Sequence, residues 1–194
     1  MEHPGRRSAE AFGRSALLCV FLAASLPGLC GCTTFIKMIK GNKFVMHRAD
    51  ITISMGKELQ TGAGIYPSVE VDVVGLTESE VPRWQAYSMN DYFQAECKFR
   101  ASAERHPFTF SDIRHDPVTI GKKDPLWTQW KRNGATHLCI TANIPGVWQD
   151  QAGVDGRKLI LPLDKKKWHR HSRYEIFLMP DGIVCRTRMK SPEK

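Results

Sequence analysis

Residues 68–76 read Ser68-Val-Glu-Val-Asp-Val-Val-Gly-Leu76, and this alternation constrains the chain more than any other stretch. Strand side chains point to opposite faces in turn, so Val69, Val71 and Val73 share one face while Glu70 and Asp72 share the other. The expected element is a half-buried strand with Glu70 and Asp72 in solvent. Residues 51–55 repeat the pattern, with Ile51, Ile53 and Met55 on the apolar side. Further strands are expected at 108–110, 117–120, 137–144, 158–163, 174–179 and 183–189. Between the last two, Pro180-Asp-Gly182 predicts a tight hairpin, because proline presets its backbone angle and glycine accepts the strained position.

Helical signals cluster in the middle. Thr77-Glu-Ser-Glu80 has the spacing of a capping box, and Ser88-Met-Asn-Asp91 is a looser version. Trp84, Tyr87, Tyr92 and Phe93 lie between and after them, which predicts two short helices with aromatic contacts, and 97–105 is read as a third helical piece. The helix after Asp124 is better marked: Asp124 caps it, Pro125 suits its first position and Gly134 suits its exit. Leu126, Trp127 and Trp130 would form its buried face. Short strands interrupted by central helices predict a mainly all-β fold, a two-layer antiparallel β-sandwich with a helical insertion after the second strand. An α+β fold is the alternative.

The N-terminus sets the compartment. Arg6, Arg7 and Arg14 precede an apolar run over 15–26 that ends in Pro27-Gly28, the layout of a signal peptide. The run falls short of the ~20 residues that a spanning helix needs. Leu29-Cys30-Gly31-Cys32 then resembles a bacterial lipobox, at which a precursor is lipidated and cut before the cysteine. Cys32 is the expected lipidation site. The register ending at Cys30 is the rival, but it puts Leu29 where a small residue is wanted. Thr33 follows Cys32, and by resemblance to Gram-negative lipoproteins a residue other than Asp there implies the outer membrane. The expected organisation is a signal peptide over 1–31, a lipidated tether over 32–43 and one domain over 44–194.

Cutting before Cys32 removes three Arg and two Glu and leaves 25 basic against 18 acidic residues, a balance of +7. Such a surplus suits an anionic lipid surface or an acidic partner. Export argues against nucleic acid, and no nucleic-acid-binding motif is present. Cys97, Cys139 and Cys185 remain, so one disulfide of undetermined pairing is open in an oxidising compartment.

Few residues suggest chemistry. Lys165, Lys166, Lys167 and Arg170, within the run 164–171, could touch lipid phosphates or a polyanionic envelope polymer, although a solvated loop is the plainer reading. His169 and His171, or His137 and Cys139, offer two ligands each without a recognisable metal motif, so no metal or cofactor is expected. No nucleophile elbow or cysteine–histidine signature is present, so no catalytic residue is nominated and no small-molecule substrate is evident. Trp84, Trp127, Trp130, Trp148 and Trp168 are more than the core is expected to take. That leaves Trp148 or Trp168 as candidate partner anchors.

The order of these features resembles a known family. A lipobox is followed by "ADITISMGKEL" (49–59), a glycine-bearing loop, "YPSVEVDVVGL" (66–76), an aromatic helical stretch and a strand-rich end. This looks like the TssJ type, the outer-membrane lipoprotein of type VI secretion systems. Leu59, Gly64, Pro67, Ser68 and Val69 match its loop and following strand, while 60–64 reads Gln-Thr-Gly-Ala-Gly where the family has an asparagine-rich loop. The resemblance implies a docking protein held by its lipid in the periplasmic leaflet of the outer membrane. Its partner would be the periplasmic domain of an inner-membrane secretion component. The implied partner-binding loop comprises Gly56, Leu59, Gln60, Thr61, Gly62, Gly64 and Tyr66.

Overall fold

The structure is a computed structural model that describes residues 43–149 and 154–191. Cys32, the expected signal peptide and the expected tether up to residue 42 lie outside the described residues. The elements run β1 (Ile51–Met55), β2 (Val69–Leu76), α1 (Val81–Ala86), α2 (Met89–Tyr92), α3 (Lys98–Ser102), β3 (Arg105–Phe110), β4 (Val118–Ile120), α4 (Pro125–Arg132), β5 (His137–Ala142), β6 (Lys158–Pro162), β7 (Tyr174–Met179) and β8 (Gly182–Cys185). The strands make two four-stranded sheets, ordered β4-β1-β7-β8 and β3-β2-β5-β6. The fold is a mainly β two-layer sandwich. One pairing departs from the antiparallel expectation: β1 and β7 run parallel, with Ile51 opposite Tyr174 and Met55 opposite Leu178.

The alternating faces meet between the sheets. Ile51, Ile53 and Met55 of β1, Val69, Val71 and Val73 of β2 and Leu138, Ile140 and Ala142 of β5 are all buried in one cluster. Helix α4 closes this core with Trp127 and Trp130, while Leu126 is only half-buried. Asp124 caps the helix by accepting a hydrogen bond from the Leu126 N–H at 2.9 Å, and Gly134 leaves it at φ +75°. Trp130 lies over Gly75, where a Cβ would meet its ring at 2.6 Å, so only glycine lets the indole settle on the strand.

The outer face of β2 is the first correction. Asp72 is fully buried, not exposed, and Val74 and Leu76 of the same face pack with Trp84, Met89, Tyr92 and Phe99 of the helical insertion. Helices α1 to α3 therefore form a partial third layer over the β3-β2-β5-β6 sheet. A charge can be buried there because it is paired: Asp72 accepts from Arg100 Nε at 2.7 Å, Arg105 Nη1 at 2.9 Å and Tyr92 Oη at 3.1 Å. Glu70 remains exposed and takes Arg100 Nη1 at 2.9 Å.

The helix starts follow their caps. Ser88 Oγ accepts from the Asp91 N–H at 3.0 Å and opens α2. The Thr77 box instead folds a turn ahead of α1: the Glu80 carboxylate accepts from both the N–H and the hydroxyl of Thr77 at 2.8 Å, and Glu80 itself precedes the first helical residue.

Candidate functional site

Four connections gather at one end of the sandwich, because β1 ends there, β2 begins there, and their partners turn there. The β1–β2 loop meets the β3–β4 turn: the Tyr66 N–H donates to Asp112 Oδ1 at 3.1 Å, and the Tyr66 ring stacks on His115 at 4.9 Å. Ser111 and Arg114 exchange two backbone hydrogen bonds of 3.0 Å, which makes Asp112 and Ile113 the tip of a tight turn. At the same end the Asn143 N–H reaches the Glu70 carbonyl at 2.8 Å, and the Ile183 N–H reaches Gly156 at 2.7 Å, which brings in the β5–β6 and β7–β8 connections.

The expected loop residues divide into anchors and surface. Gly56 is buried, donates its N–H to Leu178 at 2.8 Å and leaves no room for a Cβ beside Met179. Leu59 is also buried, on a single 3-10 turn over Lys57–Leu59. Neither is free to touch a partner; both hold the base of the loop. Gln60, Thr61, Gly62 and Gly64 are exposed and Tyr66 is half-buried. The Thr61 N–H donates to Ile65 at 2.9 Å, and the Gly64 N–H donates to Thr61 at 2.8 Å, so the tip is a closed turn with Gly64 at φ +78°.

The apolar residues of this end are not among those expected from the sequence. Ile65 is 51% exposed, Ile113 95%, Val147 103% and Val154 76%, on three separate connections that reach the same end. The Tyr66–Asp112 hydrogen bond brings the loops of Ile65 and Ile113 together, and exposed apolar side chains that gather into one patch mark an interaction site. The signal available in the sequence was Ile113 itself, an isoleucine flanked by Ser-Asp and Arg-His.

The basic run 164–171 lies at the opposite end. Asp164 caps a 3-10 turn over Lys165–Lys167, the Lys165 N–H donates to Val45 at 2.8 Å, and the Lys190 N–H donates to Lys167 at 2.8 Å. Lys165, Lys166, Lys167 and Arg170 are exposed, as are His169 and His171. Trp168 is corrected as a partner anchor: it is 1% exposed, donates Nε1–H to the Pro162 carbonyl at 2.7 Å and packs edge-on to Tyr174. Trp148 is half-buried, with its Nε1–H on the Ile144 carbonyl at 2.8 Å and the Arg157 guanidinium over its ring.

Cys97, Cys139 and Cys185 are free thiols, and no group of three or more metal-ligating side chains occurs among the described residues. Burial pushes the Cys139 thiol up to about 12. Burial alone would raise the Asp155 carboxyl, but hydrogen bonds from Arg157 hold it below the usual carboxylate range. A hollow of about 580 Å³ beside α1 and α3 carries Glu80 and Glu104. Glu80 is engaged by Thr77, and Glu104 accepts from Gln129 and Asn133, so both serve the fold.

No family model and no curated protein matches this sequence. Among solved structures, a chain of one described as a type VI membrane complex superposes with a TM-score of 0.50 at 11% identity, covering 73% of this chain and 98% of that one. The type VI lipoprotein TssJ1 from Pseudomonas aeruginosa gives 0.49 at 15% identity, covering 76% and 100%. Serratia marcescens Lip, described as a membrane-bound component of the type VI secretion system, gives 0.43 at 10% identity, covering 70% and 94%. The fold of this chain is like that of the matched chain of the type VI membrane complex.

Proposed function

We propose that the chain is a non-catalytic docking module of a type VI secretion membrane complex, anchored through a lipid on Cys32 to the periplasmic face of the outer membrane. The end bearing Gln60 to Tyr66 receives the periplasmic domain of an inner-membrane component. One observation carries this reading: exposed aliphatic side chains from three connections stand at the end of the sandwich opposite Lys43, where the chain leads back toward Cys32. The likeness in fold to a chain of a type VI membrane complex supports the same role.

The docking end is tested by a binding assay with the periplasmic domain of a type VI inner-membrane component from the same organism. Ile65→Asp with Ile113→Asp should weaken capture at least about thirtyfold, since a buried interface hot spot contributes ~2 kcal/mol or more. Deleting 60–64 should abolish capture while the circular dichroism spectrum is kept, because that turn closes on itself. Undiminished binding in both variants sinks the reading. For the anchor, Cys32→Ala should remove the exported protein from the outer-membrane fraction, and continued outer-membrane fractionation would refute it.

A further inference from the structure

We propose that the end of the domain built from Lys43 to Arg48 and the 164–171 run is a contact face for an anionic phospholipid bilayer, and that it sets the tilt of the anchored domain. The strap over 43–48 is fixed to the basic run. The His47 N–H donates to Leu163 at 2.6 Å, Met46 bridges Asp164, and the Lys165 N–H donates to Val45 at 2.8 Å. Behind the strap the face has a rigid floor: the buried His47 ring stacks on Trp168 at 6.1 Å and meets Tyr174 edge-on at 5.5 Å. The cations are therefore presented from one packed platform.

Two hollows of about 420 and 380 Å³ flank this strap and share Val45 as a common wall. Lys43, Arg48 and Lys131 line the first; Lys165, Lys166, Arg170 and Lys190 line the second. No Asp or Glu lines either one among the described residues. Between the cations, Phe44 is 39% and Val45 47% exposed. Cations surrounding an exposed aromatic and an aliphatic side chain suit the boundary between headgroups and acyl chains, where ammonium groups meet phosphates and apolar side chains enter below them. The docking end has no such bias: Lys57 and Arg114 stand there beside Glu58 and Asp112.

Position selects the bilayer over other polyanions. This step rests on the anchored reading, in which Cys32 lies eleven residues before Lys43. A fully extended chain of that length reaches at most about 40 Å, so the face on the tether side stays near the membrane. Each cation brought within the Debye length of an anionic surface, about 8 Å at physiological salt, strengthens binding about fivefold.

The test uses the exported chain without its lipid, residues 32–194 carrying Cys32→Ala, so that its outcome is independent of the anchor. Vesicles of phosphatidylcholine and phosphatidylglycerol in equal parts are compared with phosphatidylcholine alone by co-sedimentation. The expected result is binding to the anionic vesicles only, fading as salt is raised. Changing Lys165, Lys166 and Lys167 together to Gln should weaken it about a hundredfold. Phe44→Ser should weaken it without changing the salt dependence, while Lys57→Gln at the far end should leave it unchanged. Equal binding to both vesicle types, or an equal loss with Lys57→Gln, overturns the proposal. So does preference for purified sacculi over vesicles, or displacement by millimolar inorganic phosphate at constant ionic strength, which would mark a small-anion site. A failed fractionation test of Cys32→Ala in cells would instead count against the anchor.

Discussion

Removing the Asp72 carboxylate tests whether the helical insertion is held to the sheet by charge pairing. Asp72 is fully buried and takes three donors: Arg100 at 2.7 Å, Arg105 at 2.9 Å and Tyr92 at 3.1 Å. Deleting one member of a buried pair costs about 3–5 kcal/mol, because the other charge stays behind uncompensated. Two facts push Asp72→Ala toward the lower figure. Arg100 keeps its contact with Glu70 at 2.9 Å, and the Arg105 side chain is already 32% exposed, so water takes over part of its solvation. A loss of about 3 kcal/mol is expected, equivalent to roughly 6–12 °C in Tm for a domain of this size. Urea denaturation followed by circular dichroism, with a thermal melt alongside, measures it. Glu70→Ala, which removes only the half-exposed contact, should cost under about 1 kcal/mol. A loss below about 1 kcal/mol for Asp72→Ala, or equal losses for the two variants, would refute the reasoning that the buried, paired carboxylate holds the insertion to the sheet.

Two further outcomes follow from buried titratable groups. Burial, and then the Lys165 cation, lower the His47 pKa. The unfolded chain therefore takes up a proton that the folded chain refuses, so stability is full above the ordinary imidazole value of about 6.5 and is lost as pH falls through the folded pKa. His47→Gln should flatten this acid loss, read as the urea midpoint near neutrality and at about pH 5; an unchanged pH slope contradicts it. The Cys139 thiol, pushed up to about 12, should resist a thiol reagent in the native protein and label only on unfolding, because the thiolate is the reacting species. Native labelling of Cys139 as fast as that of Cys97 and Cys185, followed by mass spectrometry, would show that the core opens readily.

Much of the fold was legible because local chemistry and global packing agree. Ile51, Ile53, Val69 and Val71 face the core as their alternation requires, and Asp124, Pro125 and Gly134 bound α4 as expected. The outer face of β2 was misread because two charged residues outweighed a second signal. Val74 and Leu76 share the face of Asp72, and the adjacent valines at 73 and 74 already break a half-buried pattern, since a strand covered on both sides becomes apolar on both. The parallel pairing of β1 with β7 had no local signal, because it joins strands about 120 positions apart. For the loop end that carries residues 56–66, loop boundaries were readable, but the division of labour was not. Leu59 looks like any exposed loop leucine until its burial is seen, and Ile113 belongs with Tyr66 only through the Asp112 and His115 contacts.

The placement of β1 has a mechanical consequence. This strand sits between β4 and β7, enters from the Lys43 side and leaves at Gly56, beneath the exposed loop. A pull between those two points runs along the strand axis, across hydrogen bonds that stand perpendicular to it in the β4 ladder and slanted in the parallel β7 ladder. Both flanking ladders would then be sheared as sets of bonds resisting together, whereas a hairpin pulled at its open end unzips one bond at a time. Tension applied between Lys43 and Gly56 would cross the domain through β1, one of the two interior strands of that sheet, with the rest of the sandwich acting as a clamp.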